Sequence, residues 1–171
     1  MGYIIRTATR DDAQLIAEIS HQSFYDAFII DNRPEDMNKF LTQQFTKGKL
    51  MLEVGNGENL FFLVYQEDEV AGYVKLRESR GPRTLGSSNA LEIARLYAMV
   101  NMIGKGVGKI LMQASIDHAI SLGKDMVWLG VWEKNQRAID FYHRWGFEKF
   151  DEADFLLGDD LQRDWLMRKK L

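Results

Sequence analysis

The sequence contains no cysteine among its 171 residues. That absence excludes disulfide bonds, zinc–thiolate sites and a cysteine nucleophile together. Apolar runs are also short: none approaches the roughly 20 residues that span a bilayer. The N-terminus lacks the charged-then-apolar pattern of a signal peptide. These absences predict a cytoplasmic protein that has no membrane partner.

The chain also carries little net charge. Its formal charge is −3 at pH 7, from 22 basic and 25 acidic side chains. This balance gives no support for nucleic-acid binding, and it mildly favours a cationic small substrate over an anionic one. Hydrophobic residues make up 46% of the sequence, as in ordinary globular proteins. The length and the lack of a linker predict a single domain over residues 1–171.

The most informative stretch comprises residues 92–122. Residues 91–98, LEIARLYA, are typical of a mostly buried strand, and from Val107 onward apolar residues repeat at helical spacing. Three glycines within residues 104–108 separate the two elements. Such a turn leaves bare N–H groups at a helix N-terminus, where they can bind phosphate. The alternative is a loop that needs glycine only for its backbone angles.

A second informative stretch follows it. Residues 126–131, MVWLGV, are apolar throughout and predict a strand that is buried on both faces. Asn135 is placed to cap the next helix, and Gly146 to end it. The order of elements along the whole chain indicates a mixed sheet with helices on both faces.

The remaining elements are predicted from periodicity and turn residues. Strands are expected at 3–8, 60–65, 70–76, 147–157 and 164–170, and helices at 13–28, 34–45 and, for one turn, 50–54. Residues 79–89 are rich in Gly, Ser, Arg and Pro and predict a mobile loop.

Residues 96–108 resemble motif A of the GCN5-related N-acetyltransferases, the GNAT family. That motif is usually Gln/Arg-x-x-Gly-x-Gly/Ala, and in the family it holds the pyrophosphate of acetyl-coenzyme A. Gly106 and Gly108 match it, whereas Ile103 stands where Gln or Arg is usual and Val100 where proline is common. The first departure affects only a side-chain contact, because backbone N–H groups do not depend on residue type.

Residues 128–147 resemble motif B of the same family, a strand followed by Asn-x-x-Ala-x-x-Phe-Tyr-x-x-x-Gly-Phe. The resemblance covers essentially the whole chain. It implies the GNAT fold, an α/β fold of the mixed α+β kind, with a mostly antiparallel sheet of six to seven strands and helices on both faces. A narrower likeness, to bacterial PaiA-type spermidine/spermine N-acetyltransferases, rests on residues 91–93, 128–135 and 158–160.

The resemblance implies that acetyl-coenzyme A is the co-substrate and that no metal takes part. The residues expected to hold the coenzyme are Leu96, Tyr97, Ala98, Ile103, Gly104, Lys105, Gly106, Val107, Gly108, Lys109, Asn135, Ala138, Phe141, Tyr142 and Arg144. Asn135 would contact the coenzyme arm, cap its helix, or do both. Lys105, Lys109 and Arg144 lie near phosphates or are simply solvated charges.

Acetyl transfer to an amine needs a proton acceptor, a proton donor and a polarised carbonyl. Free primary amines titrate near ~10, so under about one in a thousand is neutral at pH 7. Glu92 is the candidate base, because it matches the catalytic glutamate of histone-type members; the alternative is an ion pair, for example with Arg95. Tyr142 is the candidate acid, because it aligns with the motif B tyrosine that protonates the thiolate in the family; a tyrosine pKa near ~10 is close enough to the ~8.5 of a thiol for this transfer. Periodicity alone makes it a core aromatic. A backbone N–H near Tyr97 or Ala98 would polarise the carbonyl.

The acceptor amine is the least readable part of the site. Tyr25, Phe28 and Glu92 are the candidate substrate-binding residues. With Glu35 and Asp36 they would give an aromatic and acidic lining suited to a polyamine. The alternative is that these are core and surface residues of an ordinary helical pair.

Other functions remain open at this point. Competing acceptors are aminoglycosides, amino acids and protein N-termini. From a different class, the chain is a coenzyme-binding sensor or regulatory protein that has lost catalysis, for which Ile103 is the only support. Dimers are common in the family, so a homodimer is a further expectation.

Overall fold

The computed structural model describes residues 2–171 and contains one seven-stranded sheet. The strands are β1 (Tyr3–Thr7), β2 (Asn59–Gln66), β3 (Glu69–Arg77), β4 (Ala90–Ala98), β5 (Met126–Trp132), β6 (Glu148–Leu157) and β7 (Asp160–Lys170). They lie in the order β1-β2-β3-β4-β5-β7-β6, and within residues 2–171 only the β4–β5 pair is parallel. The predicted mixed, mostly antiparallel sheet is confirmed.

Five α-helices accompany the sheet in the described part of the chain. They are α1 (Ala13–Phe28), α2 (Pro34–Lys39), α3 (Lys47–Glu53), α4 (Val107–Ser121) and α5 (Gln136–Arg144). α1 has the bounds predicted from the sequence. α2 begins at Pro34, whose fixed φ suits a first helical turn, and it continues into a π-helical turn over Phe40–Gln44. The Asn135 side chain caps α5, accepting a hydrogen bond from the Ala138 N–H at 3.4 Å.

Helices cover both faces of the sheet. On one face α4 buries Leu111 completely against strand residues such as Val74 and Val127. On the other face α1 packs Ile16 against the fully buried ring of Tyr73. Side chains of this size contribute about 1.5–3 kcal/mol each when fully buried. No helix in residues 2–171 combines the length and the apolar character needed to cross a membrane.

The β6–β7 turn fixes α2 to the C-terminal end of the sheet. The Asp36 carboxylate accepts a hydrogen bond from the Asp159 N–H at 3.0 Å. Gly158 has a positive φ of 59°, and a Cβ there would lie 2.6 Å from the Asp36 backbone, so glycine is required. Next to this turn, Phe40 and Leu157 belong to a third buried cluster.

β4 and β5 form a fork. They pair only where Ala90–Glu92 lies beside Met126–Trp128, and beyond Glu92 they diverge. β4 stays paired with β3, and β5 with β7. The β4 edge over residues 93–98 therefore has no strand beside it in the described chain. A register shift opposite Ala94 marks a β-bulge at the start of this free edge.

Three segments differ from the sequence-based expectations. Residues 79–89 form a loop, but one that is anchored: Leu85 is fully buried, and its carbonyl accepts a hydrogen bond from Arg168 at 2.8 Å. β5 is not buried on both faces, because Gly130 is exposed at the fork. β7 begins at Asp160, four residues earlier than predicted.

Candidate active site

A cleft of about 1190 Å³ opens at the β4–β5 fork. One wall is the free edge of β4, residues 93–98, and residues of β5 and α5 form the other. Because no strand pairs with that edge, its backbone hydrogen-bonding groups face the cleft. An extended ligand can pair with them as an added strand would.

The glycine-rich turn lies at one end of the cleft. Gly104 and Gly106 have positive φ angles of 80° and 89°, which favour glycine. α4 starts directly after Gly106. The N–H groups of Val107, Gly108 and Lys109 have no backbone acceptor within residues 2–171, as at any helix start. This N-terminus carries a partial positive charge and suits a phosphate group.

Tyr142 of α5 lines the cleft and is 8% exposed. Its ring packs against Phe141 and Phe147, with centroids 5.5 and 5.8 Å away. Burial raises the pKa of Tyr142 to about 12. The hydroxyl therefore carries its proton at neutral pH and can donate it.

Asp164 of β7 also lines the cleft, as the cross-strand partner of Trp132 on β5. Its carboxylate lies above Gly130, where a Cβ would sit 3.6 Å from Asp164 Oδ2. Burial raises the pKa of Asp164 to about 6, and the charge on Glu133 acts in the same direction. No basic group of residues 2–171 lies within 4 Å of it. Burial also raises the pKa of Tyr97, with smaller contributions from nearby groups that include Asp164.

Glu92 lies outside the cleft. Its carboxylate accepts hydrogen bonds from Arg77 Nε at 2.8 Å and Nη2 at 2.9 Å, and Arg77 is its cross-strand partner on β3. Ser79 Oγ adds a third contact at 3.4 Å. The partner of Glu92 is thus Arg77 and not Arg95, which the sequence analysis suggested. These contacts occupy both oxygens, so neither is free to reach an amine in the cleft.

Six aromatic side chains form what we call the aromatic wall of the cleft. They are Phe24, Phe28, Phe40, Phe45, Trp132 and Phe155. Their rings follow one another at centroid distances of 4.5–5.9 Å. Asp26 and Asp31 also line the cleft. Aromatic faces and carboxylates both attract cations.

Basic side chains line the cleft beside the aromatic wall. Lys75 Nζ lies 3.2 Å from one oxygen of Glu53, and Arg95 Nη2 donates to the other. The Arg95 guanidinium also sits over the Phe45 ring, 5.2 Å from its centroid. Burial lowers the pKa of Lys75, and the charge of Arg95 lowers it further.

Most of the predicted coenzyme residues lie at the cleft. Those that line it are Leu96, Tyr97, Ala98, Ile103, Gly104, Gly106, Gly108, Lys109, Asn135, Ala138, Phe141, Tyr142 and Arg144. Lys105 is exposed outside it, and Val107 is 1% exposed in the core. Of the substrate-binding candidates, Phe28 lines the cleft, whereas Tyr25 is 42% exposed outside it and Glu92 is paired with Arg77.

Glu35 and Asp36 also lie away from the cleft. Glu35 is exposed beside Arg33, and Asp36 holds the β6–β7 turn. Lys75, Arg95 and Asp164 are among the cleft residues that the sequence did not predict. Each is a charged residue inside a strand, and that signal was available in the sequence.

The fold and the cleft define a class, the N-acetyltransferases that take their acetyl group from acetyl-coenzyme A. The profile of the Acetyltransferase (GNAT) family matches residues 16–147. The chain belongs to this family and is an N-acetyltransferase.

Known proteins resemble the chain over different lengths. An uncharacterised N-acetyltransferase in the pepI 3′ region of Lactobacillus delbrueckii subsp. lactis is 38% identical over 168 residues, which cover 98% of this chain and 96% of that protein. The spermine/spermidine N(1)-acetyltransferase of Bacillus subtilis (strain 168) is 42% identical over 53 residues, 30% of this chain and 35% of that protein.

A solved structure resembles the chain throughout. The PaiA N-acetyltransferase of Thermoplasma acidophilum, in complex with coenzyme A, has a TM-score of 0.79 and covers 100% of both chains. At 22% sequence identity this likeness shows the shared fold.

Proposed function

We propose that the chain transfers an acetyl group from acetyl-coenzyme A to a primary amine bound in the β4–β5 cleft. The observation that carries the proposal is the free edge of β4, which runs between the bare N-terminus of α4 and the buried hydroxyl of Tyr142. A thioester substrate needs the same three features, namely a strand edge for its amides, donors for its phosphates and an acid at its sulfur.

The coenzyme would lie along the β4 edge with its pyrophosphate at the α4 N-terminus. The N–H groups of Gly108 and Lys109 are the proposed donors there, and Asn135 and Arg144 line the opposite wall. This arrangement explains why Ile103 is tolerated, because the donors are backbone groups. A backbone N–H near Tyr97 or Ala98 would stabilise the charge that develops on the acetyl oxygen.

Asp164 replaces Glu92 as the proposed proton acceptor. Its carboxylate lines the cleft, has no cationic partner within the described chain, and has a raised pKa of about 6, close to the working pH of a general base. Asp164 takes one proton from the bound ammonium and later releases it to solvent, which frees the nitrogen lone pair to attack the acetyl carbon. As the carbon–sulfur bond breaks, Tyr142 gives its proton to the departing sulfur, and the second amine proton restores the Tyr142 hydroxyl.

A polyamine is the acceptor suggested by the sequence. The aromatic wall, together with Asp26 and Asp31, supports a cationic acceptor. The names of the Bacillus subtilis relative and of the Thermoplasma acidophilum structure point to the same class. A polyamine, however, has no anionic group that could bind Lys75 and Arg95. Aminoglycosides, amino acids and protein N-termini therefore belong in the same test.

The setting of the reaction is part of the proposal. The cytoplasm is the proposed location, because such an enzyme would use the acetyl-coenzyme A that is present there. A homodimer is proposed from the family resemblance and is tested by light scattering of the purified protein.

The experiment has two stages. Thermal unfolding is first measured over an acetyl-coenzyme A titration, and thiol release is then followed with spermidine, spermine, an aminoglycoside, free amino acids and a peptide N-terminus. We expect stabilisation by the coenzyme and turnover with an amine. Stabilisation without turnover on any amine favours the sensor, and no stabilisation contradicts coenzyme binding itself.

A further inference from the structure

A cluster of two cations and one carboxylate lies at the aromatic wall; we call Lys75, Arg95 and Glu53 the basic cluster. All three side chains line the cleft. The Lys75 side chain is 6% exposed, that of Arg95 11% and that of Glu53 29%. Lys75 and Arg95 are cross-strand partners on β3 and β4, so both face the same side of the sheet. The charges are therefore held close together and largely out of water.

The charge of the basic cluster is not balanced. Glu53 is the only carboxylate of residues 2–171 within 4 Å of Lys75 or Arg95, and the two cations share it. Arg77 nearby is matched by Glu92. With Lys75 protonated, one positive charge is left over in a place where burial disfavours an unmatched charge, and burial lowers the pKa of Lys75 for the same reason. A bound anion would offset this charge.

The basic cluster holds a buried donor that lacks an acceptor. Arg95 Nη1 is buried without a hydrogen-bond partner in the described chain, and Arg95 lines the cleft. Buried polar groups are nearly always paired. A guanidinium and an ammonium group together suit the oxygens of a carboxylate.

We infer that the basic cluster is an anion subsite, and that the acetyl acceptor is a primary amine which also carries a carboxylate. This inference rests on the proposed acetyl transfer and narrows its acceptor. Arg95 precedes Tyr97 by two residues, a distance of about 7 Å along a strand. The amine and the carboxylate of the acceptor should therefore lie on the order of 7 Å apart, so the acceptor should be a linear ω-amino acid of matching length.

The test compares acceptors of the same chain length. Thiol release is measured with 5-aminopentanoate, 1-aminopentane and 1,5-diaminopentane, and with 4-aminobutanoate and 6-aminohexanoate to vary the span. We expect kcat/KM for the best amino acid to exceed that for 1-aminopentane and that for 1,5-diaminopentane at least tenfold, which corresponds to about 1.4 kcal/mol. The difference should lie mainly in KM. A preference for 1,5-diaminopentane or spermidine overturns the inference and leaves acetyl transfer standing.

Arg95→Gln is the variant that isolates the subsite. We expect it to lose the preference for the amino acid over 1-aminopentane. Arg33→Gln, at an exposed position outside the cleft, is the matched control and should behave as the parent. If Arg95→Gln does not fold by circular dichroism, Lys75→Gln takes its place. An unchanged preference in a folded variant overturns the inference.

A binding measurement separates this inference from the proposed function. Isothermal titration of 5-aminopentanoate needs no turnover. We expect binding at least tenfold weaker to Arg95→Gln than to the parent (about 1.4 kcal/mol). Binding without turnover on any amine contradicts acetyl transfer but supports the subsite. Equal binding to both proteins, or binding to neither, overturns the subsite.

Discussion

Replacing Asp164 by asparagine removes the proposed proton acceptor and keeps the shape of the side chain. A positioned general base typically contributes about 10²–10⁴-fold in rate, so kcat/KM at pH 7 should fall on that scale. The assay is thiol release at saturating acetyl-coenzyme A with the best amine of the panel.

The pH profile distinguishes a base from a structural residue. With the pKa of Asp164 at about 6, kcat/KM of the parent should fall about tenfold for each pH unit below 6 and be level above about 7. In Asp164→Asn only amine that is already neutral in solution can react. Its kcat/KM should therefore keep rising with pH toward the amine pKa near ~10.

Glu92→Gln is the matched control for the same chemistry. It should keep the shape of the parent profile, because the Glu92 carboxylate is bound to Arg77 outside the cleft. It should lose about 1–3 kcal/mol of stability, since a charge-assisted contact is broken at a buried position. The assignment of Asp164 is refuted if kcat/KM of Asp164→Asn stays within about threefold of the parent value while Glu92→Gln no longer shows the decrease in kcat/KM below pH 6.

The raised pKa of Asp164 also predicts a change in stability. Its folded-state pKa of about 6 lies above the ordinary value of 3.8, so the protonated form is favoured by folding. That stability is present below pH 4 and is lost as the pH rises through 6. The shift of about two units corresponds to about 3 kcal/mol, reduced to about 1–2 kcal/mol by solvent screening of this half-buried group. Asp164→Asn should therefore melt higher than the parent at pH 8 and equally at pH 4.

The other predictions concern the acid, the glycine turn and the anchored loop. Tyr142→Phe should lower kcat about 10²–10⁴-fold with little change in coenzyme affinity or melting temperature, and a kcat within about threefold of the parent would end its assignment as the acid. Gly106→Pro should weaken coenzyme binding at least tenfold, about 1.4 kcal/mol, because proline needs a φ near about −65° where Gly106 has 89°. In calorimetry, Ile103→Arg should bind the coenzyme as well as the parent or better. Leu85→Ala should cost about 2–5 kcal/mol in urea denaturation, and no loss would mean that residues 79–89 are loosely attached.

Local patterns account for what could be predicted from the sequence. The bounds of α1 follow from helical periodicity, and the turn at residues 104–108 follows from its glycines. The cap at Asn135 is equally local. Each of these features depends on interactions within a few residues, so one sequence is enough to place it.

The missed residues depend on pairings that no local pattern encodes. Asp164 reaches the cleft only because β7 lies between β5 and β6, in a register that sets it opposite Trp132. Arg77 meets Glu92 for the same kind of reason, across the β3–β4 pair. Tyr25, a predicted substrate-binding residue, lies outside the cleft, whereas its neighbour Phe24 lines it, because consecutive helical residues point about 100° apart.

The fork between β4 and β5 has a consequence for the mechanics of the protein. Within residues 2–171 the ladder between β4 and β5 has three residue pairs, and it joins the half of the sheet that ends in β4 to the half that begins with β5. Coenzyme amides that pair with the β4 edge would extend the contact between the two halves of the sheet, and coenzyme contacts with α5 would add to it. Because the backbone amides of residues 93–98 would become paired, their hydrogen exchange should slow on coenzyme binding far more than exchange in β2. Product release would expose these amides again. In each turnover the bound coenzyme would thus take the place of a strand beside β4 and stiffen the sheet.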